Sequence, residues 1–382
     1  MQSAEKSNQT SAKNYTDSLL ALGLEAGLHK VGVARAEVLH RAREALNERK
    51  SQGLHNQMQF TYRNPARSTD PTKTLPSAKS VIVGALSYSS VAPNKPDELS
   101  ARVARYVWSD YYAQLRGMLA KVATQLEADG HRCVVLADDN AIVDREIAYQ
   151  AGIGWFGKNS NLLVAGAGSY FVLGCIITDA QLEPAQEPVS DGCGSCRRCL
   201  DNCPTQAIIS PGVIDANKCL AWLLQKPGVF DKDFRVALHD RIYGCDDCQE
   251  VCPPTVRNER QNSETPDSIT VTARNEKKAW VKVFEILTAD DETLLKNFGA
   301  WYIAGRDPKW LRRNALVILG NIGDANNHEV IEVLQKFLTH HDAILRGHAV
   351  WATARLGLNH LLPETDDDEF VCSELNDLPS VK

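Results

Sequence analysis

The 382-residue sequence has no apolar run approaching the roughly eighteen residues that a membrane helix needs. Its longest apolar stretches, Ser80–Leu86 and Tyr170–Thr178, are only strand-sized. The opening residues, MQSAEKSNQTSAKNYTDS, are polar and lack the apolar core of a signal peptide. A cytoplasmic protein without membrane contact is expected. Basic charge is also not in excess, since 42 Lys and Arg against 48 Asp and Glu leave a net charge of −6. That argues against a dedicated nucleic-acid protein, although it permits a local basic face. The hydrophobic share of 43% is ordinary, and the length suffices for two or three domains with cores of their own.

Cysteine, by contrast, is plentiful: there are 11, and most are clustered. In a large chain from a reducing compartment, clustered cysteines bind metal or do chemistry more often than they form disulfides. One motif is Cys193-x2-Cys196-x2-Cys199-x3-Cys203-Pro204, the run of bacterial two-cluster ferredoxins. There, three close cysteines grip one cluster and the fourth reaches the other. The second motif, Cys245-x2-Cys248-x3-Cys252-Pro253, lacks its first cysteine, because that position holds Ile242. Cys219 lies between the motifs and fills the vacancy. Cluster I then takes Cys193, Cys196, Cys199 and Cys252, and cluster II takes Cys203, Cys219, Cys245 and Cys248. The competing reading, two four-cysteine zinc sites, predicts isolated C-x2-C pairs, which this run is not. Cys133 and Cys175 sit in apolar strand-like segments and read as small core residues. Cys372 has no evident role.

Around this block the pattern predicts an α+β, multidomain chain. Residues 1–180 mix helices (Asp17–Gly27, Val38–Ser51, Tyr112–Asp129, Asn140–Ala151) with strands (Ser80–Leu86, His131–Leu136, Tyr170–Thr178), after a frayed lead-in of about sixteen residues. A Pro-rich linker, Gln181–Val189, opens the ferredoxin-like block, residues 181–256. A polar stretch, Arg257–Glu276, leads into a helical part, residues 257–382, with a solvated acidic tail from Pro363 onward. In that part LRRNALVILGNIG (Leu311–Gly323) repeats as LRGHAVWATARLG (Leu345–Gly357), the signature of stacked HEAT-like helix pairs.

The segment from Ala137 to Asn161 places Asp138 and Asp139 at a strand end, then a helix, then a turn with Gly152, Gly154 and Gly157 followed by Lys158 and Asn159. Glycines there would allow a bulky ligand to approach the backbone. The turn follows a helix rather than a strand, so a Rossmann nucleotide site is not expected. An acidic pair at a strand end is by itself more often a cap or a solvated turn, and Asp139 and Asp144 compete with Asp138 for any acid role.

AGIGWFGKN, CGSCRRCLDNCPTQAI, DANKCLAWL, YGCDDCQEVCP, WLRRNALVILGN and RSTDPTKTLPSAKSVIVGALSY together resemble the epoxyqueuosine reductases, across about residues 55–325. The resemblance implies a cobalamin-dependent iron–sulfur enzyme acting on tRNA. Two [4Fe–4S] clusters would reduce cobalamin seated beside cluster I. The epoxide oxygen of epoxyqueuosine in the anticodon loop would then be removed, giving queuosine. By position relative to Arg145, the family's catalytic aspartate maps onto Asp138. Cobalamin would contact Asp138, Gly157, Lys158, Asn159, Leu162 and Gln225. The nearest string to the cobalt-ligating D-x-H-x-x-G motif, at Asp129–Val134, ends in Val, so no protein histidine ligand is expected. Two segments depart from the family: Asp138-Asp-Asn-Ala141, and Arg105–Tyr112, where Tyr111 or Tyr112 stands in place of a His. An external low-potential electron donor and a monomeric state are further expectations.

For the RNA, Arg306, Lys309 and Arg313 fall at i, i+3 and i+7 with Arg312 beside them, a basic helical face able to grip phosphates. Two other functions remain open at this point. One is a cobalamin and iron–sulfur reductase of a small organic epoxide or halide, for which that face is dispensable. The other is a pure electron-transfer protein, for which Asp138 is dispensable.

Overall fold

The computed structural model describes residues 2–263 and 279–382. In chain order the N-terminal part contributes helix α1 (Gln2–Glu25), strand β1 (Lys30–Arg35), helix α2 (His40–Ser51) and strands β2 (Ser80–Ser87) and β3 (Ser100–Val103). Helix α3 (Tyr111–Ala128), strand β4 (Cys133–Ala137), helix α4 (Asp144–Gln150) and strand β5 (Phe171–Thr178) follow. Strands β1, β2, β5 and β4 form one sheet in that order, antiparallel throughout. The two central strands are apolar at nearly every position because both faces of the sheet are covered. Side chains alternate across a strand, so Val81, Val83, Leu173, Cys175 and Ile177 join Ile147 of α4 in one core. Ile82, Leu86, Val172 and Ile176 join Leu19 of α1 and Leu115, Leu119 and Val122 of α3 in the other. Each such aliphatic contributes about 1.5–3 kcal/mol by leaving water.

Two expectations change here. The lead-in does not fray: α1 runs unbroken from Gln2 through the region expected to begin a helix at Asp17. The helix expected from Asn140 starts only at Asp144. Asp139 Oδ1 accepts the Ala141 N–H at 2.8 Å and holds the preceding residues in a turn.

The cysteine block carries helix α5 (Lys232–Leu238) and strand β6 (Arg241–Tyr243), and helix α6 (Pro253–Ser263) follows the last cysteine. Part of the expected polar stretch is thus helical; residues 264–276 lie outside the described residues. Strand β7 (Trp280–Lys282) comes next. A second sheet places β3 in the middle, with β6 parallel on one side and β7 antiparallel on the other. Each of three successive stretches of chain therefore supplies one strand.

Helices α7 (Asp291–Phe298), α8 (Lys309–Ile322), α9 (His328–Leu338), α10 (Ala343–Arg355) and α11 (Glu369–Asn376) complete the chain. The two repeat copies fall on α8 and α10, which cross closely at Gly320. A Cβ there would stand 2.8 Å from Ala352 Cα. The acidic tail is not simply solvated, because two of its acids, Glu374 and Asp366, pair with well-covered arginines. Glu374 is 2% exposed and accepts from Arg235 of α5 at 2.8 and 2.9 Å. Asp366 accepts from Arg346 at 2.7 and 2.9 Å. The Cys372 thiol donates to the Asp366 carbonyl at 3.0 Å, a structural role that the sequence did not reveal.

Candidate active site and cluster-binding cysteines

Eight cysteines fall into two foursomes, and their mutual electrostatics sorts them. Burial pushes the Cys199 thiol up, and Cys193 and Cys196 push it further. Cys252 rises to about 11, chiefly by burial, with Cys193 and Cys199 contributing. Cys248 is raised by burial, then by Cys245, Cys219 and Cys203. Cys219 is raised by burial and feels Cys203, and Cys245 feels Cys219. In each case the neighbouring thiols belong to the same foursome. Among the described residues, no three Cys, His, Asp or Glu side chains stand close enough to share a single ion. The sequence run C-x2-C-x2-C-x3-C-P, rather than isolated C-x2-C pairs, is what favours iron–sulfur cubes over zinc. Four soft thiolates per site are the donor set such a cube requires.

The second motif is anchored to the α+β part through its intervening residues. Asp246 is buried, which raises its carboxyl. Its Oδ2 accepts the Arg105 N–H at 2.8 Å, and its Oδ1 accepts from Gln249 Nε2 at 2.9 Å. Gln249 Oε1 in turn accepts from the Ser169 hydroxyl at 2.9 Å and the Tyr88 hydroxyl at 3.4 Å.

Asp138 directly follows β4 at φ 54°, a left-handed conformation that a non-glycine residue adopts only when its surroundings impose it. Arg116 pins the strand end by donating to the Ala137 carbonyl at 2.7 Å. Burial pushes the Asp138 carboxyl up, Arg116 opposes this, and Asp139 adds to it. Asp144, at the start of α4, is pushed up to about 8, mainly by burial, with Arg145 opposing and Asp138 and Asp139 reinforcing. Its Oδ1 is buried without a hydrogen-bond partner. The Tyr112 hydroxyl is held above its ordinary value by burial and then by Asp138 and Asp144. Tyr112 is therefore the tyrosine that faces the acids, while Tyr111 lies against the Tyr88 ring at 5.7 Å.

Two residues of this site went unnoticed in the sequence, Tyr106 and Tyr243. Burial raises the Tyr243 hydroxyl, and Asp138 is among the charges that raise it further. The Tyr243 ring lies 6.2 Å from that of Tyr106, whose hydroxyl accepts from Gln225 Nε2 at 3.5 Å. Both tyrosines sit in motifs already singled out, RYVWSDYY and YGCDDC, but cysteine spacing carries no information about them. Arg145 joins the two halves of the site, because its charge acts on Asp144 and also on Cys219.

The glycine turn serves the chain itself. A Cβ at Gly154 would stand 2.0 Å from the Leu163 carbonyl oxygen, and one at Gly157 would stand 2.2 Å from Leu163 Cδ1. Lys158 Nζ donates to the carbonyls of Gly194 at 2.6 Å and Cys196 at 2.9 Å. Asn159 is buried and donates to the Cys248 carbonyl at 3.3 Å. Leu162 belongs to the apolar core. These side chains brace both cysteine loops.

The expected basic helical face does not form. Arg306 precedes α8, in a left-handed turn at φ 57°. Arg313 is 0% exposed and donates to the carbonyls of Leu223, Leu224, Lys226 and Gly228. Burial pulls its guanidinium down to about 9. Lys309 pairs with Asp342 at 3.3 Å, and Arg312 pairs with Asp291 and donates to the Ala289 carbonyl at 2.7 Å. The i, i+3, i+7 count assumed a helix that begins three residues later than Arg306, and it could not see the carbonyls waiting for Arg313.

Comparison with known proteins agrees with this architecture. Residues 192–255 match the family described as a 4Fe-4S double cluster binding domain, and residues 68–139 match Epoxyqueuosine reductase QueG, DUF1730. The chain is 31% identical to an epoxyqueuosine reductase of Bacillus cereus, over 94% of this chain and 95% of that protein. It is 32% identical to one of Vibrio cholerae, over 86% and 88%. A crystal structure of epoxyqueuosine reductase with an epoxyqueuosine-modified tRNA-Tyr stem loop superposes with TM-score 0.82 at 27% identity, covering 95% and 97%. The Bacillus subtilis enzyme, captured with its catalytic aspartate loop swung out of the active site, superposes with TM-score 0.81 at 28% identity, covering 95% and 97%. The chain belongs to the epoxyqueuosine reductase family.

Proposed function

We propose that this protein reduces epoxyqueuosine to queuosine at the wobble position of tRNA, with Asp138 as the proton donor and cobalamin and two [4Fe–4S] clusters as cofactors. The observation that carries this reading is the assembly itself: two cysteine foursomes, one reached by Arg145, beside an aspartate held at a strained strand end. Removing an epoxide oxygen to leave an alkene consumes two electrons and two protons and releases water. When bound, cobalamin would supply low-potential electrons at carbon, with the clusters keeping it reduced.

The residues do the rest. The Asp138 carboxyl keeps its proton to higher pH than an exposed aspartate, which suits donation to the departing oxygen. Tyr112, Tyr106 and Tyr243 exclude water and present hydroxyls. Gln225 and those hydroxyls offer partners to the amide-rimmed edge of a corrinoid, a chemical match for cobalamin. Lys158, Asn159 and Leu162 act on the cofactor indirectly, through the loops they brace, or through their backbone, and Gly157 only through its backbone. The division into residues 1–180, 181–256 and 257–382, with a HEAT-like helical part meeting the tRNA, belongs to the same proposal. So do a cytoplasmic monomer and an external electron donor docking near the first cysteine run.

Anaerobic reconstitution tests it. The wild-type chain should bind roughly eight iron atoms together with cobalamin, and should convert an epoxyqueuosine-containing stem loop. Asp138→Asn should keep both cofactors and lose about 100-fold or more in turnover. Undiminished turnover would remove Asp138 from the chemistry.

A further inference from the structure

We propose that Tyr302 is a stacking platform for an unpaired nucleobase of the tRNA anticodon loop, presented at the rim of the Asp138 site. This rests on the tRNA reading above and adds a recognition residue to it. With Arg313 buried and Lys309 and Arg312 paired to acids, α8 has little left to offer RNA. The loop ahead of it offers more.

Only two aromatic side chains among the described residues are well exposed, Phe60 at 46% and Tyr302 at 57%. Tyr302 is the one built onto the site. Its N–H donates to the Tyr243 hydroxyl at 2.8 Å. The preceding residue, Trp301, is buried and stacks on the Tyr243 ring at 4.6 Å with an interplanar angle of 18°. Phe298 closes on Trp301 at 4.8 Å. On the other side, Trp310 Nε1 donates to the Ala304 carbonyl at 3.0 Å. The backbone carrying Tyr302 is therefore fixed from below by an aromatic stack and from the side by hydrogen bonds, so an exposed ring is held in place at little further entropic cost. The Tyr243 hydroxyl that accepts the Tyr302 N–H is the one Asp138 helps to raise, so the loop and the acid share a neighbour.

The same loop turns back at Gly305 and Arg306, with φ 62° and 57°, leaving the exposed Arg306 beside the platform. Its Nη1 donates to the Gly299 carbonyl at 2.5 Å, which orients the guanidinium. An anchored aromatic next to an oriented cation suits a single-stranded loop, whose splayed bases stack while its phosphates pair with positive charge. A protein partner would not need a cation in that position.

The experiment measures binding of an epoxyqueuosine-modified anticodon stem loop to the cofactor-loaded full chain at several salt concentrations. Tyr302→Ala should weaken binding roughly 5- to 100-fold with unchanged thermal unfolding, and Tyr302→Trp should restore it. The dependence of log affinity on log salt should keep its slope in Tyr302→Ala but lose about one unit in Arg306→Gln. Wild-type affinity in Tyr302→Ala overturns the inference and leaves the tRNA reading standing, as does a Tyr302→Leu variant that binds as well as Tyr302→Trp. No binding by the wild-type chain would sink the tRNA reading and this inference together.

Discussion

The first cysteine run lies in the open, while the second is sunk in the interior, although the two supply equivalent ligands. Gly194, Arg197, Arg198, Asp201 and Asn202, between and beside the first thiols, are exposed. Gly244, Asp246, Gln249 and Cys252 of the second motif are buried, and its flanks are held by a sheet and a polar network. The difference gives the proposed electron path a direction. Charge would enter where a donor can touch the surface and leave where Arg145 meets the acids.

Breaking the buried side should show the largest effect. Cys219→Ala should cut bound iron from roughly eight to roughly four per chain and also lower the unfolding temperature. Cys196→Ala should lose a similar amount of iron with a smaller loss of stability. Equal thermal shifts in the two variants would erase the distinction.

A subtler asymmetry sits between the two acids of the active site. Folded Asp144 holds its proton up to about pH 8, against 3.8 for an ordinary carboxyl. Between those values the folded state binds more protons than the unfolded one, so stability falls as pH rises through that window. Asp144→Asn removes this loss. The variant should match the parent below about pH 4 and exceed it by on the order of a few kcal/mol near pH 8, as read by urea unfolding across that range. A gap that fails to widen with pH would mean that the carboxyl is not buried in its neutral form.

The smallest effect belongs to the exposed run. Arg197 and Asp201 face each other at 3.6 Å, and both are well exposed. Arg197→Gln should change stability by less than about 0.5 kcal/mol, a shift that chemical denaturation should barely register.

The sequence made the cysteines legible because cluster ligation demands fixed spacing, and the vacancy at Ile242 pointed to Cys219. The central strands were legible because a doubly covered sheet needs unbroken apolar runs, as in Ser80–Ser87 and Phe171–Thr178. Side-chain destinations were not. Nothing in WLRRNA separates Arg312, which remains partly exposed, from Arg313, which enters the core, because the carbonyls that receive Arg313 lie some 85 to 90 positions earlier in the chain. The acidic tail misled for the same reason, since Glu374 is explained only by Arg235. The glycine turn was noticed, but its packing against Leu163 was not, because that contact depends on the fold.

The small sheet centred on β3 has a consequence for how the molecule is made. Its middle strand leaves the ribosome early, and its outer strands follow about 140 and 180 residues later. The frame around the inner thiols therefore cannot close until Lys282 has been synthesised. Completion of either foursome should accordingly come late in synthesis, because the inner one needs that frame and the outer one needs Cys252.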